Sequence, residues 1–93
     1  MGVPNIIWLP TVRKKLLEYR STHFTAEETQ EFIVKLIIDI EEFLKYEIVG
    51  QTYVEEFGVY KGLSRFVIRK FRVYYEKDKN DIIVLAVLFP GEK

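Results

Sequence analysis

Apolar residues are spaced along this chain in two distinct rhythms, and the change between them divides it into helical and extended parts. A short apolar run, Asn5 to Leu9 (NIIWL), is stopped by Pro10 and predicts a first strand. Proline suits the first turn of a helix, and TVRKKLLEYRS after it predicts a helix over residues 10–21. Its buried stripe is Val12, Leu16 and Tyr19, with Arg13, Lys14 and Glu18 outside. Thr25-Ala-Glu-Glu28 is an S/T-x-x-E capping box, which can satisfy two orphan amides. The helix it starts, to about Tyr46, repeats Phe32, Ile33, Leu36, Ile37, Ile40, Phe43 and Leu44 at three- and four-residue spacing. Glu31, Lys35, Asp39 and Glu42 fall outside that stripe. Two helices joined by a short link form an antiparallel hairpin, and their stripes must cover a sheet.

Ile48 to Tyr60 is punctuated by Gly50 and Gly58 and reads as irregular structure; TYVEEF within it has the composition of a short edge strand. From Gly62 to Phe89 the rhythm becomes that of three successive strands. With Arg69-Lys70 at the turn, Ile68 pairs with Phe71, Phe66 with Val73 and Ser64 with Tyr75, all suited to a core-facing surface. The opposite face then carries Val67 beside Arg72, and Arg65 beside Tyr74. A two- or four-residue loop preserves this register and a three-residue loop breaks it. Arg-Lys is poor type I′ turn chemistry, so a longer loop is compatible with the pattern. Glu76-Lys-Asp-Lys-Asn-Asp81 is a polar turn. The last strand, IIVLAVLF, is apolar on both faces, so it is either central and covered twice or has a face that awaits a partner. The predicted class is α+β, ordered β-α-α-β-β-β, with an antiparallel sheet packed on an N-terminal helix hairpin in one domain over residues 1–93.

Composition narrows the chemistry. Nearly half the residues are hydrophobic, enough for a compact core and against disorder. With no cysteine, disulfides and Cys-based zinc sites are excluded, and one histidine argues against a His-cluster metal site. No metal and no cofactor is expected. The beginning of the chain lacks a basic region leading into an apolar core, and IIVLAVLF is too short to span a bilayer as a helix. A soluble, cytoplasmic protein without a membrane partner is the expectation. Zero formal charge argues against coating nucleic acid by bulk electrostatics. The charge is unevenly placed, however. Acids dominate Glu27 to Glu56, whereas Lys61, Arg65, Arg69, Lys70 and Arg72 follow one another with no acid between them.

The strand–helix–helix–meander order resembles the RelE/ParE superfamily of bacterial type II toxin–antitoxin toxins. The resemblance runs over nearly the whole chain, from IIWLPTVRKKLLEY through the acidic second helix. It is most specific in G-L-x-R-F-V-x-x-x-F-R-V-Y-Y-E-x-D, Gly62 to Asp78, followed by IIVLAVLF. It implies a toxin held inactive by a cognate antitoxin, and two mechanisms divide the superfamily. RelE-like members are mRNA interferases that cut codons in the ribosomal A site, with Arg, Lys, Tyr, Glu or His on the open sheet face and C-terminal tail. ParE-like members are plasmid-stabilisation toxins that inhibit DNA gyrase.

For the nuclease reading, the catalytic set would be Arg65, Arg72 and Tyr74. Arg72 stands where the RelE-like sheet arginine contacts the scissile phosphate, although ParE-like members keep that arginine too. Arg65 and Tyr74 form either a second phosphate contact with an acid, base or stacking platform, or a cross-strand pair that only packs. Glu55 or Glu56 is a candidate base if TYVEEF edges the groove. The tail departs from the nuclease pattern: Phe89-Pro-Gly-Glu-Lys replaces the usual His, Arg or Tyr and leaves only Lys93 nearby. The near-neutral pI of 6.6 also departs from the strongly basic character of ribosome-binding toxins. The reading is therefore a ParE-like, non-enzymatic inhibitor of DNA gyrase, with the ribosome and mRNA as the alternative target. Arg65, Val67, Arg69, Lys70, Arg72 and Tyr74 are the expected target- or antitoxin-binding residues. A member that keeps only antitoxin binding is the third reading. His23, in the inter-helix link, is expected to be an ordinary surface histidine.

Overall fold

The computed structural model describes residues 3–20, 23–46 and 53–92. Its elements are β1 (Asn5–Trp8), α1 (Pro10–Leu17), α2 (Ala26–Tyr46), β2 (Tyr53–Val54), β3 (Ser64–Ile68), β4 (Phe71–Asp78) and β5 (Asp81–Leu88). The strands form one sheet in the order β1-β5-β4-β3-β2, giving the expected α+β arrangement of a helix pair on a sheet. Pro10 opens α1, as its fixed φ and missing amide favour. α1 ends at Leu17, short of the predicted end, and Ser21 lies outside the described residues. α2 starts as its capping box dictates. Thr25 N–H donates to Glu28 Oε1 (2.9 Å), and Glu28 N–H donates to Thr25 Oγ1 (3.1 Å).

The helices cover one face of the sheet. Val12 and Leu16 of α1 and Ile33, Leu36, Ile40 and Leu44 of α2 meet Phe66, Phe71, Val73, Tyr75, Ile82, Val84 and Val87 in one buried cluster. Phe43 stacks on Phe66 at 4.1 Å, and Tyr19 meets Phe32, Phe71 and Phe89 in tilted or edge-on contacts at the other end.

Two features of the sheet go beyond the sequence reading. β1 runs parallel to β5, so the sheet is mixed at that edge, while the β2–β3–β4–β5 pairings are antiparallel. This places the two-sided apolar strand β5 inside the sheet, with neighbours on both sides. Residues Tyr53–Val54, inside the TYVEEF segment with edge-strand composition, add a two-residue edge strand within the otherwise irregular region; residues 48–52 lie outside the described residues.

The pairing of β4 with β5 shifts between Tyr74 and Tyr75: Tyr74 faces Ala86 and Tyr75 faces Val84, leaving Leu85 as the extra residue. In an unbroken strand Val84 and Val87 would point to opposite faces. The bulge brings both into the core.

The β3–β4 register is the predicted one at every pair, from Ser64↔Tyr75 to Ile68↔Phe71. The connection is the tight two-residue turn, with Arg69 at φ 50° and Lys70 at φ 70°. Left-handed backbone costs a non-glycine residue about 1–2 kcal/mol. A tertiary contact holds the turn in place. The Arg69 guanidinium reaches Asp39 Oδ2 on α2 at 2.5 Å and lies 5.8 Å from the Phe32 ring centre. Lys70→Gly removes the strain at φ 70° and is expected to stabilise the protein by roughly 1 kcal/mol in denaturant unfolding. An unchanged or lowered midpoint would show that the turn is not strained.

Candidate functional site

Strand alternation sends Phe66 and Ile68 towards the helices and leaves Arg65 and Val67 on the opposite face of β3. Arg72 and Tyr74 stand beside them on β4, through the pairs Val67↔Arg72 and Arg65↔Tyr74. The sheet therefore brings together four of the six expected contact residues. Arg69 departs from that face, since its side chain turns to α2. Lys70 remains exposed at the turn.

The segment after β2 folds over one end of this face. Glu55 N–H donates to Leu63 O and Gly62 N–H donates to Glu55 O, both at 2.8 Å, which closes residues 55–63 into a loop. Gly62, the first residue of the sequence motif, sits at φ 92°, a left-handed conformation that glycine adopts without side-chain strain. The loop delivers two side chains to the site. Tyr60 stacks on Tyr74 with ring centres 4.4 Å apart. Glu55 Oε2 accepts from Tyr74 Oη at 3.1 Å and from Arg65 Nη1 at 3.3 Å. Arg65 and Glu55 are each about one-fifth exposed, and Tyr74 is only 2% exposed. The arrangement is a carboxylate holding a guanidinium and a phenol under an aromatic cover. A phosphodiester could reach the Tyr74 hydroxyl only after Tyr60 and Glu55 had moved. Glu56 is exposed and takes no part, and His23 is exposed in the inter-helix link.

Arg72 is engaged in another way. Phe89-Pro90-Gly91-Glu92 makes a turn with Gly91 at φ 81°, closed by Glu92 N–H to Phe89 O at 2.9 Å, as Pro-Gly at its centre favours. The turn carries Glu92 back onto the protein. Arg72 Nη2 donates to the Glu92 carbonyl oxygen. Lys15 Nζ donates to both Glu92 carboxylate oxygens, at 2.7 and 2.8 Å, and Phe89 N–H donates to Oε1 at 2.8 Å. Lys15 first, and the Phe89 amide second, hold the Glu92 carboxyl below the usual carboxylate range.

The strand pattern puts Arg65 beside Tyr74 and leaves Glu55 and Glu56 as conditional candidates, of which the structure brings Glu55 to the pair; Tyr60, Lys15 and Glu92 carry no such signal. Tyr60 had no periodic signal. Pro90-Gly91 is turn chemistry, but it does not say where the residue after it lands. Lys93 lies outside the described residues.

Two outcomes test these contacts. Glu55→Ala leaves Arg65 and the Tyr74 hydroxyl without their shared acceptor. It is expected to cost about 1–3 kcal/mol in denaturant unfolding, more than Tyr74→Phe at about 1 kcal/mol. Equal, near-zero losses would discard the constellation. For Glu92, a depressed folded pKa means that its stabilisation is complete above the unfolded value of 4.5 and is lost as pH falls through the lower folded value. The stability gap between the wild type and Glu92→Gln is therefore expected to close below pH 4.5, measured by thermal unfolding across that range. A gap independent of pH would rule out the ion pair as its source.

Among curated proteins nothing matches this chain. A family model does: that of the ParE toxin of the type II toxin–antitoxin system parDE, over residues 6–89. The matched span runs from the second residue of β1 to the residue after β5, covering both helices, the motif hairpin and the Glu55–Tyr60 loop. The chain belongs to the ParE toxin family of type II toxin–antitoxin systems.

Proposed function

We propose that this toxin acts as a non-enzymatic inhibitor of DNA gyrase and that its cognate antitoxin holds it inactive, with residues 1–93 forming a single toxin domain. The observation that carries this reading is the closed state of the Arg65–Glu55–Tyr74 constellation. A ribosome-dependent nuclease needs an acid or base within hydrogen-bond reach of the 2′-hydroxyl and a cation on the scissile phosphate. Here the phenol is covered and committed to Glu55, Arg65 is tied to the same carboxylate, and Arg72 is tied to the Glu92 carbonyl. These contacts support a structural role for the three residues. The near-neutral pI supports the same reading.

Val67, Arg69 and Lys70 are the exposed members of the expected contact set, and Arg69 is engaged by Asp39; Val67 and Lys70, with Arg72, are the residues that an antitoxin or gyrase would meet. Among the described residues no helix is long and apolar enough to cross a membrane. The proposed setting is the cytoplasm, where gyrase acts.

Pulse labelling just after induction, with thymidine and amino acids followed in parallel, tests the reading in cells. DNA synthesis is expected to stop while translation continues, and the purified chain is expected to block supercoiling by gyrase. An immediate halt of translation with mRNA cut at codon boundaries would replace this reading with a ribosome-dependent nuclease.

A further inference from the structure

β1 ends at Trp8, and the Leu9 amide makes the last hydrogen bond along that edge, to Val84 O at 3.3 Å. β5 continues to Leu88, so from Leu85 onward no strand among the described residues lies on its β1-side edge. α1 passes at this point. Between it and the edge lies a cleft of about 170 Å³, walled by Thr11, Lys15, Tyr60, Leu85, Ala86 and Val87. The lysine caps one edge carbonyl, donating to Val87 O at 2.9 Å, and also stands 4.9 Å from the Phe89 ring centre. The remaining direction of its ammonium is taken by the Glu92 carboxylate.

We propose that the Lys15 end of this cleft is a carboxylate-binding site for an extended acidic peptide, and that Glu92 fills it in cis until such a peptide displaces it. Charge complementarity argues for this occupant, because the protein already displays the bound form with its own side chain. Two donors, Lys15 Nζ from α1 and the Phe89 amide just after β5, converge on one carboxylate, and Arg72 holds the adjoining main-chain carbonyl. Beyond Lys15 the cleft follows an edge of β5 along which no described strand pairs, the kind of surface to which an extended chain adds by main-chain hydrogen bonding. Tyr60 contributes an aromatic wall at the other end.

Glu92 lies three residues beyond the span that matches the family model. Tethered by a three-residue link from the end of β5, it acts at high effective concentration, and a peptide in trans must overcome it. The inference does not depend on which target the toxin hits.

The test is isothermal titration calorimetry on the full chain with an acetylated, amidated pentapeptide alternating valine and glutamate, and with its glutamine counterpart. Glu92→Gln is expected to bind the glutamate peptide at least tenfold more tightly than the wild type does. The glutamine peptide should bind neither protein, and the gain should shrink at high salt. Adding Lys15→Met to Glu92→Gln should abolish the gain, with near-UV circular dichroism confirming the fold. Equal binding by the wild type and Glu92→Gln, or equal binding of the two peptides, would overturn the proposal. A gain that survives high salt or the loss of Lys15 would overturn it as well.

Discussion

The register of the β3–β4 hairpin is the constraint on which the other features depend. Side chains alternate along a strand, so a slip of one residue would move Phe66, Phe71 and Val73 out of the core and bring Arg65 and Arg72 into it. The register is held by a two-residue turn whose residues both adopt left-handed backbone, a conformation that neither side chain favours locally. The Arg69–Asp39 pair and the packing of that guanidinium near Phe32 tie the turn to α2. A local penalty is thus set against a contact between the helix layer and the sheet, and the hairpin and helix hold each other in place.

The same hairpin is the most basic stretch of the chain, and its three arginines are each answered from a different direction. Arg65 meets Glu55 from the loop, Arg69 meets Asp39 from α2, and Arg72 meets the Glu92 carbonyl from the final turn. Acids that read in sequence as a separate acidic body become partners of the basic hairpin once the chain folds. Part-buried pairs of this kind fix geometry more than they add stability. They also leave the open face quieter than the run of charges implied, with Val67 exposed on it and Lys70 exposed at the turn beside it.

Closure of the site and closure of the tail have one cause, the shortness of the elements at the two edges. β2 is two residues long, so the chain after it is free to fold Tyr60 over Tyr74. β1 ends four residues before β5 does, so the upper edge of β5 is left to Lys15 and to the turn at Pro90-Gly91. A longer strand at either edge would have filled those positions with a ladder and left no cleft beside α1.

What the sequence determined by itself was whatever local periodicity and local turn chemistry control. These gave the capping box at Thr25–Glu28, the stripes of α1 and α2, and every β3–β4 pair together with the face on which Arg65, Val67, Arg72 and Tyr74 stand. The family resemblance rested on that same hairpin. Tertiary structure alone decided the parallel pairing of β1 with β5 and the bulge at Leu85 that puts Val84 and Val87 on one face. It also decided the partner of each arginine. Those outcomes depend on contacts between residues up to about eighty positions apart, such as Lys15 with Glu92, and a repeat of two or of 3.6 carries no information at that separation.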